Sequence, residues 1–152
     1  MDFYLVRHGQ AKPDYEDSRR PLSDSGRWDV EKIARAAAAK EIKVAEILRS
    51  DKLRAKETAE ILAGFLSPAR GIREIPGFSP EDDPLVAQAD LEAAAESLML
   101  VGHLPHLGRL AALLLVGDSE KRVVDFAPAT MVCLARGRGI WSLGWILNPE
   151  EA

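Results

Sequence analysis

The chain has 152 residues, 47% of them hydrophobic and 29% charged, the profile of one globular domain spanning residues 1–152 with enough apolar material for a real core. A formal charge of −4 excludes a general nucleic-acid or acidic-membrane binder, so any anion site must be built from a few placed arginines. The single cysteine, Cys133, excludes an intramolecular disulfide and a cysteine-rich zinc site, and without a signal-type or membrane-spanning apolar run the expected location is the cytoplasm.

Phe3 to Val6 read as a buried strand that halts at Arg7-His8-Gly9, placing a cation and an imidazole at the carboxyl edge of a sheet, where open α/β folds keep their sites. Residues 10–22, with Pro13, Pro21 and many polar side chains, read as a long loop leaving that edge. Ser23 is the N-cap of a helix to about residue 40, with Trp28, Ile33, Ala36 and Ala37 on its apolar face and Gly26 weakening it slightly. Val44 to Leu48 form a second apolar run, broken at Arg49-Ser50-Asp51, and Leu53 to Leu66 resume helical spacing. Residues 67–83 carry Pro68, Gly71, Pro76, Gly77 and Pro80 and leave room for one short strand at Ile72 to Ile75. Leu85 to Glu96 is an alanine-rich helix, and Leu98 to Val101 a compact strand ending at Gly102-His103, which repeats the opening pattern. Leu107 to Val116 is an apolar helix stopped by Gly117. In the tail, Arg122 to Phe126, Thr130 to Ala135 and Ile140 to Leu147 read as strands, the last two joined through Gly137-Arg138-Gly139. The pattern is α/β: a three-layer sandwich whose mainly parallel central sheet is flanked by helices and ends in an antiparallel hairpin.

Three strand ends deliver polar groups to one edge if their strands are parallel neighbours. The first supplies Arg7 and His8, the second Ser50 with Arg54 one turn into the next helix, and a later one His103. Guanidinium groups make forked, charged hydrogen bonds that suit phosphate oxygens better than a lysine would. Two imidazoles among arginines therefore point to phosphate chemistry.

These residues resemble the histidine phosphatase superfamily: Arg7-His8-Gly9 after the first strand, Ser50-Asp51-Lys52-Leu53-Arg54-Ala55-Lys56-Glu57-Thr58 with its arginine, and Val101-Gly102-His103 after a later strand. The short length, Arg20-Pro21-Leu22-Ser23, Ser79-Pro80-Glu81 and Trp145-Ile146-Leu147-Asn148-Pro149 look most like the SixA-type phosphohistidine phosphatases. The resemblance implies that His8 is the nucleophile, that Arg7, Arg54 and His103 surround the transferring phosphoryl group, and that Arg20 adds a further phosphate contact. Gly9 is expected to allow close backbone approach, with a phosphate contact as its sharper reading. The scheme requires no metal and no cofactor. Its implied partner is a phosphorylated protein, such as a histidine phosphotransfer domain, or a small phosphorylated substrate, with the enzyme itself monomeric.

Larger relatives use a carboxylic acid to protonate an alkoxide, and Glu74, Glu81, Asp82 and Asp83 offer no clear match to it. Imidazole is a better leaving group than an alkoxide, so the missing acid favours phosphohistidine over phosphate esters. Small-molecule ester hydrolysis and a phosphoprotein-binding module without turnover are the alternatives. A metal module on His8, His103 and His106 is disfavoured, because no acidic ligand stands at fixed spacing and the arginines repel cations. His106 reads as a structural or rim residue. Arg19, Lys52, Lys56, Lys121, Arg122 and Arg136 to Arg138 read as surface charge, and Cys133, Trp141 and Trp145 as core or sheet-surface residues.

Overall fold

Each parallel strand is apolar along its length because both of its faces are covered, and the two faces alternate residue by residue. The computed structural model describes residues 1–152, and its first strand, β1 (Asp2–Arg7), buries Phe3 and Leu5 on one face and Tyr4 and Val6 on the other. The remaining strands are β2 (Glu46–Arg49), β3 (Ile72–Glu74), β4 (Leu98–Gly102), β5 (Met131–Gly137) and β6 (Ile140–Leu147), in the sheet order β3-β2-β4-β1-β5-β6. β3, β2, β4 and β1 run parallel, whereas β5 pairs antiparallel with both β1 and β6. The β5–β6 turn holds Arg138 and Gly139 at φ 54° and 73°, the two left-handed positions that a tight hairpin matching strand twist requires.

Helices α1 (Asp24–Ala39) and α2 (Leu53–Leu66) cover the Tyr4 and Val6 face through Val30, Ile33, Ala55, Ala59 and Leu62. Helices α3 (Pro84–Ala93) and α4 (His106–Val116) cover the Phe3 and Leu5 face through Leu91, Leu107, Leu110 and Leu114. At about 1.5–3 kcal/mol for each large side chain removed from water, these two layers are the main source of stability. None of these helices is long and apolar enough to cross a membrane.

The caps follow the sequence. Ser23 Oγ accepts the Gly26 N–H at 3.0 Å, Asp83 caps α3 ahead of Pro84, and Gly117 ends α4 at φ 73°. Gly26 is more than a weak helix former. A Cβ there would lie 2.1 Å from the Gln10 carbonyl oxygen, so only glycine lets α1 press against the chain leaving β1.

Four expectations are corrected. Arg122 to Phe126 form no strand, because β5 already occupies the edge of β1; Val124 and Phe126 are buried, but from an irregular segment. Trp28 is 61% exposed, since the inward stripe of α1 runs through Gly26, Val30, Ile33 and Ala37 instead. Ala36 likewise lies only at the margin of that stripe. Arg136 is not a free surface charge: its guanidinium donates to the Leu91 and Ala94 carbonyls, closing the end of α3, and stacks 5.0 Å from the Phe3 ring centre.

β1 and β4 are neighbours whose following helices leave to opposite faces, α1 to one side and α4 to the other. Such a divergence opens a crevice at the carboxyl ends of the two strands. Their register pairs Val6 with Val101 and Arg7 with Gly102, so the next residues on each strand, His8 and His103, are brought side by side.

Candidate active site

The side chains follow the register: the His8 and His103 rings lie 4.9 Å apart, centre to centre. The backbone at His8 is pinned on both sides, with its N–H donating to Gly102 O and its carbonyl accepting from Ala129 N–H. His8 Nδ1 stands 2.6 Å from the Gly9 carbonyl oxygen. A carbonyl only accepts, so Nδ1 carries the proton and the lone pair of the neutral ring sits on Nε2.

On β2, the pairing of Arg49 with Val101 brings Ser50 beside the end of β4, and Ser50 Oγ lies 2.6 Å from His103 Nε2. The same hydroxyl oxygen receives the Lys52 N–H at 3.3 Å. The other His103 nitrogen, Nδ1, is buried without a partner.

The nine-residue stretch from Ser50 to Thr58 acts as a unit. Arg54 sits in the first turn of α2; its carbonyl accepts Thr58 Oγ–H at 2.8 Å, and Thr58 Oγ1 in turn accepts the Gly9 N–H at 3.1 Å. One threonine thus ties α2 to the turn that holds His8. Gly9 serves packing: a Cβ there would meet Val30 at 2.7 Å and the Gly26 carbonyl oxygen at 2.8 Å. With its N–H on Thr58 and its carbonyl on His8, neither of its backbone groups is left for phosphate, which corrects the sharper reading of this residue.

Arg7 donates Nη1 to the Phe126 carbonyl at 2.8 Å, while the Nε of Arg7 and that of Arg54 are buried without partners. Arg20 stands on the loop after β1 at φ 50°, its Nε on the Lys12 carbonyl at 3.2 Å. The loop is closed by a bridge between Ala11 and Leu22 and anchored to α2 where Glu57 accepts the Leu22 N–H and pairs with Arg27. Arg7, Arg20 and Arg54 join none of the ion pairs in the molecule. Three unpaired guanidiniums near two neutral imidazoles form a place where an anion is strongly favoured.

A sequence profile of the histidine phosphatase superfamily (branch 1) matches residues 3–78, half of the chain. The chain belongs to the histidine phosphatase superfamily. It is 27% identical to the phosphohistidine phosphatase SixA of Escherichia coli (strain K12), over 98% of this chain and 94% of that protein. An uncharacterized protein of Picosynechococcus is 35% identical over 78% of this chain and 76% of its own length. Among solved structures, that of the protein histidine phosphatase SixA complexed with tungstate superposes with a TM-score of 0.87 at 27% identity, covering 98% of this chain and 97% of the other.

Within this histidine phosphatase fold, burial lowers the His8 pKa to about 4; the bond to Gly9 opposes that shift, and the charges of Arg54, Arg7 and Arg20 reinforce it. Burial is therefore the larger cause, ahead of the neighbouring cations. His103 is lowered to about 2, by burial first and then by His8 and Arg54. Both rings are neutral at pH 7, the form a nitrogen nucleophile needs.

An unfolded histidine titrates near 6.5, so between that value and about 4 the unfolded chain binds more protons than the folded one. Stability is complete above pH 6.5 and falls as the pH drops toward 4, by about 3 kcal/mol for His8 at ~1.4 kcal/mol per pH unit, with His103 steepening the loss. Urea midpoints measured from pH 7 to 4.5 should fall steeply, and less so in His103→Asn. Identical pH slopes for the two proteins would refute this account.

The carboxylates considered as a general acid are engaged elsewhere. Glu74 pairs with Arg49, Asp82 accepts the Ser79 N–H, Asp83 caps α3, and Glu81 lies 3.8 Å from Arg109. His106 is wholly buried at the start of α4, edge-on to Phe78 with 4.8 Å between centres, so it does not lie on the rim. Two contacts carried no sequence signal of their own: the Phe126 carbonyl on Arg7, because any residue supplies a carbonyl, and the anchoring of the Arg20 loop by Glu57.

Proposed function

We propose that this histidine phosphatase removes phosphate from phosphohistidine carried on another protein, through a phosphorylated His8. The single observation that carries the reading is the neutral His8 ring, held by Gly9 with its Nε2 lone pair free, beside His103 and within the field of three unpaired arginines.

In the first step His8 Nε2 attacks phosphorus, the P–Nε2 bond forms, and the bond from phosphorus to the substrate imidazole breaks. The substrate ring, already protonated on its other nitrogen, keeps the electron pair of the broken bond and leaves as neutral imidazole. In the second step water attacks the phosphoryl group on His8, giving inorganic phosphate and restoring the ring. Arg7, Arg54 and Arg20 neutralise the equatorial oxygens, and His103 donates from Nδ1 while Ser50 holds its other nitrogen. An imidazole leaves without a strong acid, which agrees with the structural employment of Glu74, Asp82 and Asp83. Similarity to SixA supports the same substrate class.

Hydrolysis of a phosphorylated histidine phosphotransfer domain, measured against a panel of sugar and glycerol phosphates, tests the reading. The expected result is a kcat/KM at least about 100-fold higher on the phosphohistidine protein, because an alkoxide needs the acid that imidazole does not. Comparable or faster turnover of the esters would replace it with a small-molecule phosphatase, and binding without release of phosphate would make the chain a binding module.

A further inference from the structure

The largest cavity of the molecule, about 640 Å³, lies outside the His8 and His103 pair. It runs between the start of α4, at Leu104, Pro105, Gly108 and Arg109, and the irregular segment from Ser119 to Ala127. It shares a wall with the phosphate site: Leu104 and Pro105 follow His103 directly, and Phe126, which lines the cavity, holds Arg7 by its carbonyl. A phosphoryl group seated between the two imidazoles would therefore have its carrier beside this opening.

We propose that this cavity is a docking subsite for the polypeptide segment flanking the phosphohistidine of the protein substrate, a segment with apolar and acidic side chains. The inference rests on the phosphohistidine reading above and deepens it by naming the surface that selects a protein carrier. The cavity walls include Val124 and Phe126, which are buried, and Leu104, which is 36% exposed, so apolar side chains have a floor to cover. The charges at the mouth are of both signs, Arg109, Lys121 and Arg122 against Glu120 and Asp125. Arg122 pairs with Asp125 at 2.6 Å and Arg109 with Glu81 at 3.8 Å, whereas Lys121 takes part in no ion pair. Three cations against two carboxylates leave the lining with a small positive excess, which attracts acidic side chains. A polypeptide segment matches apolar floor and mixed rim together.

Gly108 provides the test. A Cβ there meets only Leu104 Cδ2, at 3.8 Å, an ordinary contact, and a leucine inside α4 is a better helix former than glycine, so Gly108→Leu folds while its side chain fills the cavity. Steady-state kinetics of the full chain are measured on a phosphorylated histidine phosphotransfer domain and on free phosphohistidine. In Gly108→Leu, kcat/KM on the protein substrate is expected to fall at least about tenfold, while free phosphohistidine is hydrolysed within about twofold of the unmodified rate. Lys121→Glu should raise KM for the protein substrate and leave the small one unchanged. If both variants process the protein substrate normally, the docking subsite is wrong and the phosphohistidine reading stands. If Gly108→Leu slows both substrates equally, the substitution acts on the phosphate site and the docking proposal again fails. If the unmodified chain hydrolyses neither substrate, the underlying reading fails first, so the two failures are told apart.

Discussion

His8→Ala is expected to lower turnover of a phosphohistidine protein by about four orders of magnitude or more, with the chain still folded. His103 is not placed to take over the attack: its Nε2 is occupied by Ser50 and its Nδ1 carries the proton, while Arg7, Arg20 and Arg54 are donors only. The fold survives because the bonds that pin this position, His8 N–H to Gly102 O and Ala129 N–H to His8 O, belong to the backbone. The arginines also remain, so the variant should bind tungstate or inorganic phosphate within a few-fold of the unmodified affinity while losing the acid-labile phosphoenzyme seen in rapid-quench labelling. That separation is the diagnostic feature. Parallel loss of anion binding and unfolding would mark His8 as structural, and undiminished turnover would remove it from the mechanism.

The same geometry explains what could be read in the sequence. Strands β1, β2 and β4 stood out because a parallel strand covered on both faces has to be apolar without interruption, and each interruption, at Arg7, Ser50 and His103, marks the residue where the strand leaves the core and the crevice begins. The convergence of His8, His103 and Ser50 required only that the three strands be neighbours, which the topology satisfies. What remained illegible depended on competition between distant segments. Arg122 to Phe126 buries alternate residues as a strand would, yet its side chains cannot reveal that β5 has taken the only open edge of β1. Arg136 looks like solvated charge until the end of α3 is seen to present carbonyls to it. Thr58 was visible as a member of a motif, but its reason, joining the Gly9 N–H to the Arg54 carbonyl, exists only in three dimensions.

Arg54 carries the second large effect. Its alanine variant is expected to lose about 10²–10³-fold in kcat, equivalent to about 3–4 kcal/mol of transition-state stabilisation, and Arg54→Lys should recover little of it. A lysine restores the charge but not the planar fork that grips two oxygens at once. The loss should not be one of folding. Arg54 joins no ion pair, its Nε is buried without a partner, and its contribution to Thr58 comes from a carbonyl that every substitution keeps. Burial and the neighbouring Arg20 both lower its pKa, so the folded chain holds this guanidinium against desolvation and like-charge repulsion. Removing it is therefore expected to leave the melting temperature unchanged or to raise it, as is common where a site is organised for chemistry at the expense of stability. It should also raise the His8 pKa, since one of the cations that lowers it is gone, and move the acid limb of kcat/KM upward from about 4. A destabilised Arg54→Ala with turnover intact would assign the residue to the scaffold. Lower kcat, an acid limb shifted toward 6.5 and preserved stability together would assign it to the phosphoryl group.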